Sequence, residues 1–305
     1  MSELSPMAPI VLFCYMRPEH LARTVASLLR NPEAAQSHLT VYCDAPKKAD
    51  HQEAVDSVRR YVESITGFAT ITRVYRSANM GLARSIIEGV TDMVRLHGRV
   101  IVLEDDLVLS PFFLDYMNRA LALYQDDPQV ASIHGYCYPV SGALPDTFFL
   151  KGADCWGWAT WSRAWAHFEP DSRHLLQQLR QRNLCREFDL DGSYPYTRML
   201  RGQIAGRNDS WAIRWHASCF LKGMLTLYPG RTLVENIGTD GSGTHGGPTD
   251  VFAGALNSGP VPLEKIALEA SPAGRAGFVG FFNGTREDLF QKVKRTVSKR
   301  LRDFR

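Results

Sequence analysis

Three adjacent carboxylates have the clearest capacity for chemistry in this sequence: Glu104, Asp105 and Asp106, here called the acidic cluster. They follow Val100–Leu103, four apolar residues typical of a buried strand in a parallel sheet. Neighbouring negative charges repel one another, and their burial at a strand end costs free energy unless a cation lies close. Carboxylate oxygens suit Mg²⁺ or Mn²⁺. A solvated acidic turn is the alternative interpretation.

Polar residues also follow two earlier apolar runs. Arg17 comes just after the strand predicted at Pro9–Tyr15, and Asp44 comes directly after the strand predicted at Leu39–Cys43. In an open parallel sheet, ligands bind beyond the carboxyl ends of the strands. We therefore expect Arg17, Asp44 and the acidic cluster at one edge of one sheet.

Four strands alternating with three helices must position these residues. The third strand is predicted at Thr70–Tyr75, and Ser110 and Pro111 predict the cap and first position of a helix after the acidic cluster. This order predicts an α/β fold with a mostly parallel central sheet flanked by helices. The sequence contains no Gly-x-Gly-x-x-Gly and no P-loop lysine, which argues against dinucleotide and ordinary nucleoside-triphosphate sites.

Further candidates lie downstream, where the periodicity loosens. Cys155–Trp165 contains four tryptophans, Trp156 among them, whose rings suit either sugar binding or core packing. Asp209 stands at or just before a predicted helix, where capping is the alternative to a chemical role. His245 lies in Ile237–Gly247, which contains five glycines and suits a closing loop or a linker. It is a candidate ligand for a metal or a diphosphate, and simple solvation is the alternative.

The composition is ordinary for a globular protein: 305 residues, 45% hydrophobic and 22% charged, with a net charge of +3. Six cysteines without a Cys-x-x-Cys pair favour reduced thiols over disulfides or a zinc site. We find no signal peptide pattern and no run long enough to span a membrane, so a cytoplasmic protein is expected. The sequence does not indicate an oligomeric state.

The C-terminal region divides into two parts. Residues 251–286 are rich in Gly and Pro, and we predict no regular structure there. The last eighteen residues combine an apolar stripe with lysines and arginines, which predicts a basic amphipathic helix. This helix would lie on the inner face of the cytoplasmic membrane or dock on the domain, and both interpretations stay open. One short basic helix is a weak footprint for nucleic acid, which is not an expected partner.

Together these motifs resemble GT-A glycosyltransferases of the large, mostly inverting, family-2-like group in bacteria. The matching features are Tyr15–His20, Asp44, Asn79–Arg84 and the acidic cluster, which also resembles the motif of Golgi N-acetylglucosaminyltransferases. The segments around Trp156, Asp209 and Asn236–His245 are similar to those of bacterial sugar transferases in surface-polysaccharide clusters. The resemblance covers roughly residues 8–250, with a nucleotide-sugar-binding half (8–110), an acceptor half (111–250) and a C-terminal extension (251–305).

The resemblance implies a metal-dependent inverting enzyme that adds a single sugar. A UDP-sugar would be the donor, a hydroxyl of a glycan or lipid-linked glycan the acceptor, and surface polysaccharide the product. Asp106 and His245 would hold Mn²⁺ or Mg²⁺, and Asp209 would be the catalytic base. The donor-binding residues implied are Arg17, Asp44, Asn79, Arg84, Glu104, Asp105 and Trp156. A sugar-nucleotide nucleotidyltransferase and a non-catalytic glycan-binding module remain the alternatives.

Overall fold

Residues 7–241 and 249–285 are described in the computed structural model of the chain. Its first half alternates strands and helices as predicted: β1 (Ile10–Cys14), α1 (Pro18–Leu28), β2 (His38–Cys43), α2 (Gln52–Ser64), β3 (Thr70–Tyr75), α3 (Leu82–His97) and β4 (Arg99–Glu104). β1, β2 and β4 are short and mostly apolar, β3 is a more polar and more exposed edge strand, and each helix has one apolar face that it can bury against the sheet.

The second half is less regular. Its elements are β5 (Leu107–Leu109), α4 (Phe113–Leu123), β6 (Val130–His134), β7 (Thr147–Lys151), β8 (Trp158–Trp161), α5 (Ser162–Trp165), α6 (Ser172–Gln181), α7 (Cys185–Phe188), α8 (Tyr196–Ile204), α9 (Trp211–Leu221), β9 (Leu225–Pro229) and β10 (Val234–Asn236). Residues 272–285 form a further helix, α10.

Eight strands form the central sheet, in the order β3-β2-β1-β4-β8-β6-β9-β7. The pairs β2/β3, β1/β2, β1/β4 and β6/β9 are parallel, whereas β8 and β7 run against their neighbours. A separate antiparallel pair joins β5 to β10. The mostly parallel sheet flanked by helices confirms the predicted α/β, Rossmann-like fold class.

Helices cover both faces of this sheet. Alternate residues of β1 point to opposite faces, so that Ile10 and Leu12 pack with α1, α2 and α4 on one side. Val11 and Phe13 pack with α3, α5 and α9 on the other. Burial on both faces explains why β1 and β4 are apolar without alternation.

Two local predictions are wrong. Ser110 and Pro111 do not start a helix, because buried Leu107 and Leu109 first extend the chain as β5 opposite β10, and α4 begins only at Phe113. Ser110 instead donates to the carbonyl of Asn257 at 2.6 Å.

The second error concerns the 251–286 region, where the described residues include α10. Its Phe278 and Phe282 are 2% exposed, and this burial offsets the poor helix propensity of its glycines. The predicted basic helix of the last eighteen residues lies outside the described residues. No helix within the described ranges is both long enough and apolar enough to cross a membrane.

Candidate functional site

The acidic cluster lies where the strand order of the sheet reverses. β2 and β3 follow on one side of β1, whereas β4 pairs with its other side. The connections that leave β1 and β4 therefore diverge and open a crevice beyond their carboxyl ends, the usual ligand site of such sheets. Phe13 of β1 is in register with Glu104 of β4, so Arg17 and the acidic cluster emerge side by side.

Arg17 supplies a counter-charge to the acidic cluster. Its Nη2 donates to Asp105 Oδ1 and also to Asp106 Oδ2, the latter at 2.9 Å. Pro18 follows at the first position of α1, so the arginine extends from the start of a packed helix. The predicted need for a cation is thus met in part within the chain. Three carboxylates against one guanidinium still leave an excess of two negative charges when all three are ionised.

Burial disfavours the charged forms of these carboxylates unless a cation is bound beside them. It raises the pKa of Glu104 to about 8, and the charges of Asp106 and Asp105 add to the effect. Burial also raises the pKa of Asp105 to about 6, although Arg17 beside it acts in the opposite direction. Thr24 Oγ1 fixes the backbone here by donating to the carbonyl of Asp105 at 2.8 Å. The cluster is rigidly held and short of positive charge, which favours a further cation.

The segment after β10 closes one side of the cluster. Ile237 N donates to the carbonyl of Asp106 at 2.8 Å, and Gly238 N donates to Asn236 Oδ1 at 2.8 Å. A Cβ on Gly238 would overlap the Asp106 carboxylate and stand 3.0 Å from Arg17 Nη1. The close approach of this backbone to an ion pair therefore requires glycine. The start of the Gly-rich stretch is thus part of the site.

Asp44 and Asn79 join the two loops beside the cluster. Asp44 is 8% exposed and accepts from Met80 N and Gly81 N, each at 2.9 Å. Asn79 Nδ2 donates to the carbonyl of Ala45 at 2.7 Å. The carboxylate assigned by resemblance to the nucleotide base is thus engaged with backbone amides of the β3–α3 loop. These contacts give Asp44 and Asn79 a role in positioning the edge of the sheet.

Arg84 and Trp156 have other partners. The side chain of Arg84 is 69% exposed and donates to Glu88 Oε1 at 2.7 Å, one turn along α3. Trp156 is half-buried, and its ring lies edge-on to Tyr136 and Phe252, with centroids 4.8 and 5.6 Å away. Within residues 7–241 and 249–285, neither forms a hydrogen bond or ion pair with the acidic cluster. Of the four tryptophans, Trp156 is the most exposed, since the other three are at most 5% exposed.

Asp209 precedes α9 without capping it. Ser210 is the cap and accepts from Ile213 N at 3.2 Å, so the capping role belongs to the neighbouring residue. The Asp209 side chain is 72% exposed and pairs with Arg214 Nη2 at 3.1 Å. No hydrogen bond or ion pair among the described residues joins Asp209 to the acidic cluster. His245, the second predicted metal ligand, lies outside the described residues.

Asp154 is a partly exposed carboxylate that sequence reasoning missed. It directly precedes the tryptophan-rich stretch and is 19% exposed. Tyr138 Oη donates to its Oδ2 at 3.2 Å. The pKa of the adjacent Cys155 thiol is raised, with burial as the main cause, and the charges of Asp154, Glu104 and Asp106 add to the effect. Cys155 is thus within electrostatic reach of both Asp154 and the acidic cluster.

The acidic cluster fits a cation that the substrate helps to hold. Within the described ranges, no three His, Cys, Asp or Glu side chains converge as a metal site. Mg²⁺ is, however, commonly held by one or two carboxylates together with substrate phosphates. Asp106 suits this arrangement because its side chain is 14% exposed, whereas that of Asp105 is 5% exposed.

Comparisons with known proteins give partial structural matches. No protein-family model and no curated protein matches the chain. Three solved structures are similar in part. The first is the mannosyltransferase PcManGT from Pyrobaculum calidifontis in complex with GDP-Man and Mn²⁺, with 14% identity and a TM-score of 0.31 over 44% of this chain and 38% of that one. The second is S. aureus TarS, with 12% identity and a TM-score of 0.30 over 49% of this chain and 25% of that one. The third is a UDP-glucose pyrophosphorylase complexed with UDP-glucose, with 12% identity and a TM-score of 0.38 over 74% of this chain and 91% of that one. The chain thus spans about two fifths and one quarter of the first two. None of the three assigns an activity to it.

Proposed function

We propose that the protein is a metal-dependent inverting glycosyltransferase that moves one sugar from a nucleotide sugar, a UDP-sugar in the first instance, to a hydroxyl of a glycan or lipid-linked glycan. The observation that carries the proposal is the acidic cluster at the switch point of the sheet, where a single guanidinium faces three carboxylates. A ligand that brings both a cation and phosphates would fit this crevice. Resemblance to the GT-A group supports the same assignment.

The donor side would be formed by the cluster and Arg17. Asp106, the more exposed of the two Arg17-paired aspartates, would take the divalent cation together with the donor diphosphate. When bound, Mn²⁺ or Mg²⁺ would neutralise negative charge developing on the leaving group. Arg17 is close enough to share that charge, and a guanidinium suits phosphate oxygens. Asp105 and Glu104 would face the ribose and sugar.

The acceptor hydroxyl must lose a proton as it attacks the anomeric carbon. In an inverting displacement, the base that takes this proton lies opposite the leaving group. Asp209 is our assignment for that base, because it is exposed, is not consumed by helix capping and belongs to the acceptor half. Arg214 would hold its orientation. No covalent nucleophile is needed in this reaction.

Nucleotide binding with and without metal tests the donor assignment. Thermal unfolding of the wild-type protein is followed with UDP alone, with Mn²⁺ alone and with both. We expect UDP to raise the unfolding midpoint only when Mn²⁺ is present, and we expect Asp106→Asn to abolish this shift. Asp126→Asn, which removes an exposed carboxylate elsewhere, is the matched control and should behave like the wild type. The screen then extends to UDP-sugars, with UDP release as the activity readout.

Two outcomes would contradict the proposal. If UDP stabilises the protein equally without metal, or if Asp106→Asn keeps the metal-dependent shift, the acidic cluster does not hold the donor diphosphate. Formation of a nucleotide sugar from UTP and a sugar 1-phosphate, with release of pyrophosphate, would instead identify a nucleotidyltransferase.

A further inference from the structure

A cavity, here called the Asp154 cavity, is lined by residues of β7, β9 and helices α7 to α10, none of which belongs to the acidic cluster. It has a volume of about 140 Å³ and is lined by Lys151, Asp154, Glu187, Tyr196, His216, Tyr228 and Arg275, among others. One water needs about 10 to 15 Å³ of such volume, so there is room for a molecule the size of a sugar ring. None of these residues was a sequence-derived candidate.

Asp154 is one of the two carboxylates that line this cavity. Tyr138 Oη donates to its Oδ2, and Cys155 N donates to its Oδ1 at 2.9 Å. Its charge contributes to raising the pKa values of Tyr196 and Tyr228, for which burial is the main cause. A partly exposed carboxylate that is fixed among aromatic side chains is an acceptor for hydroxyl groups.

His134 contributes an unsatisfied polar group behind Asp154. It is fully buried at the end of β6, and within the described part of the chain neither of its ring nitrogens has a hydrogen-bond partner. Its Nε2 lies 3.8 Å from Asp154 Oδ2, beyond hydrogen-bond distance. His134 does not itself line the cavity, so its unsatisfied nitrogens describe the polar surroundings of Asp154 and not a ligand contact.

The charges around the cavity favour a neutral ligand. Lys151 Nζ pairs with Glu187 Oε1 at 2.8 Å, and Arg275 Nη2 pairs with Asp191 Oδ1 at 2.9 Å. Among the lining residues, Asp154 and Glu187 balance Lys151 and Arg275. Because both cations already have carboxylate partners, the cavity offers little to a phosphate. Because the lining charges balance, the cavity likewise offers little net attraction to an ammonium ligand.

We infer that the Asp154 cavity binds a saccharide ring, with the carboxylate accepting from its hydroxyls and the rings of Tyr196 and Tyr228 contacting its apolar faces. Aromatic faces beside a hydrogen-bonding carboxylate match the alternating apolar and polar surface of a sugar. The role of this saccharide as the acceptor rests on the proposed function. The position of Asp154 supports that role, because β8 begins at Trp158 opposite Val102 of β4, and Asp154 precedes β8 at the end of the pair where the acidic cluster follows β4.

Saturation-transfer NMR with methyl glycosides tests the inference. The probes are the methyl glycosides of glucose, galactose, mannose and N-acetylglucosamine, with tetramethylammonium and inorganic phosphate as competitors. We expect at least one glycoside to bind the wild type and to lose affinity by at least about tenfold in Asp154→Asn, the factor for one hydrogen bond to a charged group. Asp146→Asn, an exposed carboxylate near β7, is the matched control.

Tyr196→Phe guards against a folding defect, because it removes one hydroxyl and keeps the ring. Because the proposed contact is made by the ring, glycoside affinity in this variant should stay within about twofold of the wild type, with an unchanged circular dichroism spectrum, while Asp154→Asn loses it. Absence of glycoside binding to the wild type, unchanged binding in Asp154→Asn, or binding of tetramethylammonium or phosphate alone would overturn the inference. Binding of UDP with Mn²⁺ is measured on the same samples, so a failed donor assignment is distinguished from a failed saccharide site.

Discussion

The substitution Gly238→Ala tests whether the backbone after β10 is built against the ion pair of the acidic cluster. An added Cβ would overlap the Asp106 carboxylate, with its Cγ 2.9 Å away, and would stand 3.0 Å from Arg17 Nη1. The overlap must be relieved by moving either the carboxylate or the loop. The Asp106 carboxylate and the loop have little freedom to move apart, because the Asp106 carbonyl accepts a hydrogen bond from Ile237 N in that same loop.

The size of the effect follows from the two ways of relieving the overlap. Forcing extra atoms into a packed region costs about 1 to 3 kcal/mol. Separating Asp106 from Arg17 removes a hydrogen bond between charged groups, which is worth about 1.5 to 3 kcal/mol. Because these are alternatives, we expect Gly238→Ala to lower the free energy of unfolding by about 2 to 3 kcal/mol. For a chain of 305 residues, the unfolding midpoint would fall by about 3 to 5 °C.

The assay combines thermal unfolding with calorimetric titration of UDP in the presence of Mn²⁺. Gly259→Ala is the matched control, since a Cβ there meets nothing within 4 Å and its φ lies outside the left-handed region. The control should differ from the wild type by less than about 0.5 kcal/mol and keep its nucleotide affinity. If Gly238→Ala matches the control in both measurements, the geometry assigned to this loop is wrong.

Four further variants test other parts of the structure. His134 is buried, which lowers its pKa to about 4, so the native state resists a proton that the unfolded chain accepts near 6.5. This contribution to stability is complete above pH 6.5 and declines as the pH falls towards 4. In urea unfolding at pH 5, His134 should lower the free energy of unfolding by about 2 kcal/mol relative to neutral pH. His134→Gln should not show this loss. Trp158 is completely buried, and its ring is stacked on that of Trp211 with the centroids 5.3 Å apart. Trp158→Ala should therefore lower the free energy of unfolding by about 3 to 5 kcal/mol in the same assay. Asp209→Asn should keep UDP and Mn²⁺ binding in calorimetry while turnover falls by several orders of magnitude, and near-normal turnover would exclude it as the base. Deletion of residues 287–305 should reduce sedimentation with anionic liposomes at low salt if the tail binds membranes, and unchanged sedimentation would favour docking on the domain.

The first half of the fold was predictable because its signals are local. Apolar runs of four to six residues and helical periodicity define β1 to β4 and α1 to α3 without reference to the rest of the chain. The acidic cluster was predictable for the same reason, since it directly follows a buried strand. The insertion of antiparallel β8 between β4 and β6 depends on pairing between distant segments, for which the sequence has no local signal.

The contacts within the candidate site likewise depend on pairing between distant segments, although the residue types were visible in the sequence. The register of β1 with β4 brings Arg17 to Asp105 and Asp106. The packing of two loops brings the backbone amides of Met80 and Gly81 to the Asp44 carboxylate. The residue type alone does not show whether a carboxylate is open to a ligand or already accepts hydrogen bonds from backbone amides.

The Asp154 cavity shows why a site can escape such reasoning altogether. Asp154, Glu187, Tyr196, His216 and Tyr228 come from five separate segments, and each looks like an ordinary core or loop residue on its own. What makes them a site is the combination of a partly exposed carboxylate and aromatic walls. The contrast with the acidic cluster is electrostatic. The cluster has excess negative charge that calls for a cation and phosphates, whereas the cavity is balanced and suits a neutral saccharide. The proposed donor and acceptor sites would thus lie near one end of one sheet, as a reaction between a charged donor and a neutral acceptor requires.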